Sequence, residues 1–309
     1  MVLQRQTDID LPAHRKAGGF DHAAVHRASA RVYVAHTAND ALDVIDGATA
    51  RYLHSIPHLT GVAGALVSDE RHLAFTSNRG ENTVGIFALD AEAELVKVAV
   101  GIGPNGLAYD PGRDLLLAAN VGDPQRRDSS TVSIVDVGTN AMMASVPVPG
   151  RTRWAVFDPH QELFFVNIAD PAQIVVIAAR DPTHIAATYR VPAAGPHGLD
   201  LDIAQGRLFC ACDAKRLVCL ASRSGQVLDE RELSGVPDVI FYNARLGHLY
   251  VAIGEPGLID VFETTTLERL ETVATERGAH TLAFDADRNT IYAFLPETHR
   301  ATVYVDQGA

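Results

Sequence analysis

The residues with chemistry to offer recur along the chain at a near-constant interval. His22, Ala63, Asn105, Arg153, His197, Asp238 and His280 follow one another at steps of 41, 42, 48, 44, 41 and 42 residues. Brought to one place, three neutral imidazoles and the Asp238 carboxylate suit a divalent ion such as Zn²⁺, Fe²⁺ or Mn²⁺, with a position left for water or substrate. Such an ion lowers the pKa of its water toward ~7 and polarises a carbonyl. Arg153 carries the planar fork that clamps a carboxylate or phosphate, and Asn105 can hold an oxygen.

Only a repeat can bring residues so far apart together. The unit is clearest from Gly103 to Asn120: a Gly/Pro entry, an apolar strand ending at Asp110, a short turn, and a second apolar strand ending at a polar corner. A third strand, Thr131 to Asp136, and a fourth around Met142 to Val148 complete it. Seven such copies of four short strands predict an all-β, seven-bladed β-propeller, read as a single domain over residues 1–309. Only 29 residues follow His280, enough for three strands. The segment Thr7 to Pro12 is therefore expected to supply the fourth and close the ring. In this arrangement the aligned residues open onto one mouth of a central channel. Blades five, six, seven and one then place His197, Asp238, His280 and His22 as a contiguous arc, with Arg153 and Asn105 opposite. Asp21 can stand in for His22, because the first copy aligns equally well one residue earlier.

Copies such as Val32-Tyr33-Val34-Ala35-His36 followed by Ala41-Leu42-Asp43-Val44-Ile45-Asp46 resemble the YVTN-repeat propeller family, and the third copy keeps the pattern best. The resemblance spans essentially the whole chain and implies the propeller fold. That family also includes surface proteins, binding modules and relatives of lactonase-type propellers. From the ring and the resemblance together, the expected activity is a metal-dependent hydrolase or lyase on a small, carboxylate-bearing, lactone-like substrate. His22, His197, Asp238 and His280 would hold the ion, Arg153 and Asn105 would orient substrate, and His36 or a metal-bound hydroxide would act as base. The same ring also reads as a metal-free polar funnel for a small anion, as a structural ring, or as metal-free acid/base chemistry between His280 and Asp238 with Arg153 as anchor. A non-catalytic ligand- or protein-binding propeller is the rival class.

The second-strand corners make a further ring, His36, Asn78, Asn120, Asn167, Cys212, Ile253 and Leu295. Asn at such corners is expected to bond neighbouring backbone. Glu255 and Glu297 lie just beyond two corners, within reach of the mouth. The 48-residue step reflects an insertion, Gly122 to Ser130, a candidate lid whose Arg126 and Arg127 would attract an anion. Strand alternation turns Trp154, the one tryptophan, away from Arg153 and into the packing between blades. His54 and His58 read as surface residues, and His160 as part of a turn on the far face. Cys210, Cys212 and Cys219 read as buried free thiols, the first two on one face of a strand.

The remaining composition narrows the partners. A formal net charge of −12 disfavours nucleic acid and anionic membranes, which need clustered cations. No apolar run approaches the ~18 residues of a membrane span. The first ten residues lack the apolar stretch of a signal peptide. That points to a cytoplasmic protein, or to an exported one whose leader is not in this chain. Walker, Rossmann, G-x-S-x-G, H-E-x-x-H and C-x-x-C patterns are all missing, which removes support for nucleotide-dependent and serine-hydrolase chemistry.

Overall fold

The middle strands of each copy, such as Leu115–Asn120 and Thr131–Asp136, are buried along nearly their whole length, the first as an almost unbroken apolar run. A strand covered on both faces needs no polar alternation, and the fold supplies that cover. A computed structural model, described for residues 1–126 and 128–308, forms seven four-stranded antiparallel sheets arranged in a ring. Each sheet is one blade, and apolar clusters fill the seams between neighbours; Leu117, Ile134 and Val146 of blade three pack with Phe164, Val166 and Val175 of blade four. The outermost strands face solvent, as in Ala141–Pro147, where only Val146 is buried.

The innermost strands, including Phe20–His26, Pro104–Asp110, Thr152–Asp158, Pro196–Asp202 and Val236–Asn243, contact one another round the ring and wall the channel. Blade seven is ordered Leu3–Asp10, Arg300–Asp306, Thr290–Leu295, Thr281–Asp285 from outside in. The closing strand thus comes from the N-terminus, as the sequence predicts. The aspartates that end several inner strands cap the following turn; Asp110 accepts from the Gly112 amide at 2.9 Å and Asp158 from the His160 amide at 2.8 Å. Among the described residues no helix is long and apolar enough to cross a membrane.

Six inner strands break register at the mouth, between Phe20 and Ala23, Val62 and Gly64, Pro104 and Leu107, Thr152 and Ala155, Pro196 and Gly198, and Pro237 and Ile240. A bulge re-aims side chains, so two successive residues can both face the channel. The strands also close up tightly there. A Cβ on Gly106 would lie 2.4 Å from the Arg153 carbonyl oxygen, and one on Gly198 2.3 Å from that of Asp238. Glycine at the position after the ring residue is therefore a packing requirement in these blades.

Candidate functional site

Side-chain contacts and charge coupling link His22, Asn105, Arg153, His197, Asp238 and His280 at one mouth. His197 is the hub: its Nδ1 lies 2.7 Å from Asp213 Oδ1 and its Nε2 3.1 Å from Asp238 Oδ1. Burial opposes charge on this ring, but the Asp238 carboxylate and the hydrogen bonds to Asp213 and Asp238 outweigh it and push its pKa up to about 9. The ring is thus an imidazolium donating from both nitrogens. Asp238, although half-buried, is held far below the usual carboxylate range by the His197 imidazolium. Arg153 Nη1 is 3.1 Å from His197 Nε2 and its Nη2 3.4 Å from Asp213 Oδ2. With His197 protonated the first contact is between two cations, and Asp213 and Asp238 hold them together.

His280 differs in kind. Its Nδ1 lies 2.9 Å from the Gly278 carbonyl oxygen, which can only accept, so the proton sits on Nδ1. Nε2 is left with a lone pair, 3.9 Å from Asp238 Oδ2. His22 is buried, and desolvation lowers its pKa, which keeps the ring neutral. Both residues of the ambiguous first copy reach the site, because the bulge turns both inward: Asp21 Oδ1 is 3.4 Å from His22 Nε2.

Three participants were not foreseen. Arg79 places Nη2 2.5 Å from Asn105 Oδ1 and 3.4 Å from Asp21 Oδ2, filling the gap that Ala63 leaves in blade two. Asp213 supports both His197 and Arg153. Arg79 and Asp213 each directly follow a second-strand corner, and the corners themselves, Asn78 and Cys212, are fully buried. One residue further along flips the face; reading corner-plus-one would have found both. The third is Arg151, at the start of blade four. It forms no ion pair among the described residues, and burial together with Arg153 and Arg79 lowers its pKa.

Several expectations change. His36 is wholly enclosed in blade one, not exposed at the mouth; Nδ1 is 2.7 Å from Asp43 Oδ2, and the ring packs on Phe20 and His14. It is not brought to the funnel. Trp154 packs against the apolar cluster that fills the seam between blades four and five, and it also reaches the channel. The bulge at Thr152/Ala155 turns it inward, and its indole crosses the channel to lie 4.0 Å, centroid to centroid, from the His22 ring. The corner asparagines act differently from one another. Asn167 Nδ2 donates to the His197 carbonyl at 3.0 Å, which fixes the hub, whereas Asn78 and Asn120 bond the hydroxyls of Thr83 and of Thr131 and Ser133. Glu255 pairs with exposed Arg277 at 2.8 Å, and Glu297 is exposed on the rim. In the insertion, Arg126 lines a rim hollow with Arg151 and Asp170, and Arg127 lies outside the described residues. His54 and His58 are exposed. All three cysteines are buried and free, with the Cys210 and Cys212 sulfurs 3.8 Å apart.

As arranged, the expected metal ligands do not present an open donor set. His197 has both nitrogens engaged by carboxylates, and a guanidinium occupies the approach to Nε2. Among the described residues no three His, Cys, Asp or Glu side chains already stand as a metal-holding group.

Comparison with known proteins places the fold alone. No family model matches the chain, and no curated protein matches its sequence. Solved structures do. A chain of a mitotic checkpoint complex superposes with a TM-score of 0.82 at 11% identity, covering 97% of this chain and 91% of that one. A chain of hydrazine synthase from Kuenenia stuttgartiensis gives 0.80 at 12%, covering 94% and 96%. The likeness is one of architecture, and the YVTN resemblance gains no family match.

Proposed function

We propose that the funnel binds a small anionic molecule, carboxylate-bearing in the first instance, and that His280 exchanges a proton with it. The observation that carries this reading is the gathering of Arg151, Arg153 and Arg79 at the mouth, where partial desolvation and then the two neighbouring guanidiniums lower the Arg151 pKa, with no acid paired to Arg151 among the described residues. Clustered, part-desolvated guanidiniums hold an anion far better than water does. Arg79 holds Asn105 Oδ1, which leaves the Asn105 amide nitrogen to donate to a ligand oxygen.

A hydrolase or lyase activity on lactone-like substrates is the catalytic form of this reading. Arg153 would orient the substrate carboxylate or carbonyl oxygen, and His280 Nε2, the free nitrogen of the tautomer that the Gly278 contact fixes, would accept a proton from water or from carbon. Asp238 would stabilise the imidazolium that forms. Trp154 at the base of the funnel is a built-in reporter. Titration with acetate, citrate and phosphate should change its emission saturably, and Arg151→Ala or Arg153→Met should weaken binding at least tenfold. An emission that no anion alters, or alters equally in the variants, defeats the reading. Proton release from a lactone panel, followed at constant pH, then separates enzyme from binding protein; His280→Gln should abolish turnover and leave anion binding intact.

A metal-dependent form rests on the convergence of His22, His197 and His280 upon Asp238. Elemental analysis of protein prepared without a His-tag tests it. About one equivalent of Zn, Fe or Mn per chain, lost in His197→Ala and His280→Ala, would support it.

A further inference from the structure

The channel beyond Trp154 is chemically unlike the funnel. A cavity of about 450 Å³ runs from the His22–Trp154 contact to a rim formed by Arg27, Asp69, Pro111 and Ile203, in the turns at the opposite ends of the inner strands. Its walls include Leu66, Val156, Phe241 and Phe284 as well as the indole. The aromatic rings form a corner: Trp154 meets Phe241 at 6.4 Å and 88°, and Phe241 meets Phe284 at 6.3 Å and 40°. Of the two carboxylates in the lining, Asp69 pairs with Arg27 at the rim, and Asp200 stands alone among the apolar walls. It is fixed by the amides of Leu201 at 2.8 Å and Tyr242 at 2.6 Å. It has no cationic partner among the described residues, and burial pushes its pKa up to about 6.

An acid facing an apolar cavity without a counter-charge is costly unless something offsets it. The candidates can be sorted by chemistry. Inorganic Ca²⁺ or Mg²⁺ needs six or more oxygens, and the aromatic walls offer none. An anion is repelled, and a neutral apolar molecule leaves the carboxylate unmet. An organic ammonium satisfies both features, since its charge faces Asp200 while its methyl groups lie on the faces of Trp154, Phe241 and Phe284. The volume lies toward the lower end of ordinary ligand sites, which suits a compact molecule. We propose that this channel is a second ligand site, for a small quaternary or alkylated ammonium ion, entered from the face opposite the funnel.

The test compares choline with its uncharged isostere 3,3-dimethylbutan-1-ol on the full chain, by calorimetry and by Trp154 emission. Choline should bind saturably and the isostere at least tenfold more weakly. Asp200→Asn should reduce choline affinity at least tenfold while citrate binding in the funnel is unchanged. Phe241→Leu, which keeps the carboxylate and removes an aromatic wall, should weaken choline severalfold, and it gives the reading should Asp200→Asn fail to fold. Equal binding of the two probes, choline affinity unaffected by either variant, or no choline binding to the folded wild type would each overturn the proposal.

Discussion

The two ends of the channel are built from the same inner strands, yet they solve opposite problems. The mouth collects Arg79, Arg151, Arg153, His197, Asp213 and Asp238, and nearly every charge there leans on another. Beyond Trp154 the same strands present Val156, Phe241 and Phe284, with Asp200 alone among them. The boundary coincides with the bulges. Above them, paired inward residues and the loops after the second strands can meet in a network; below them, regular alternation sends one side chain per pleat into the channel. A propeller can thus carry two unrelated chemistries on one axis, separated by a single indole.

Breaking the closest strand contact should have the largest effect. Gly198→Val places carbon on the Asp238 carbonyl. It should cost about 4 kcal/mol, read as a lowered denaturation midpoint, and should abolish anion binding. Trp154→Ala removes the partition. It should cost about 3 kcal/mol, and in the variant an anion at the mouth and an ammonium in the channel should influence each other's affinity. Independent binding of the two probes in Trp154→Ala would show that the indole is not the divider.

The pH response sharpens the contrast further. His197 has its folded pKa raised from 6.5 to about 9. Its contribution to stability is therefore complete below about 6.5 and is lost as pH rises through about 9. Denaturation midpoints measured across that window should fall in wild type and stay flatter in His197→Gln. The smallest effect is expected on the rim, where Glu255→Ala breaks an exposed pair with Arg277. It should change stability by no more than about 0.5 kcal/mol and leave both ligands unaffected.

The ring was legible in the sequence because a propeller repeats one backbone position seven times, so equal spacing in the chain becomes neighbourhood in space. Closure by the N-terminal strand was legible for the same reason, as a missing quarter of the last copy. Strand alternation told only half of Trp154, which packs on the blade seam but also enters the channel, because a bulge suspends the period of two that alternation assumes. His36 misled because a corner histidine looks available until the blade seam encloses it against Phe20. Arg79 and Asp213 sit in loops, where no periodicity says which residue turns inward. That His197 is spent on Asp213 and Asp238 is set by distances of about one hydrogen bond, which spacing in the chain does not encode.

The closing strand also sets an order of events during synthesis. Leu3–Asp10 is made before every other strand of the ring, yet its partner Arg300–Asp306 is made after them. While the strands between are synthesised, this strand is an open β edge, carrying Arg5, Asp8 and Asp10 as charges that discourage pairing with other chains. When the partner arrives, Asp10 takes Arg300 at 2.9 Å and Asp8 takes Thr302 at 2.8 Å. The ring therefore cannot be sealed before Arg300–Asp306 appears.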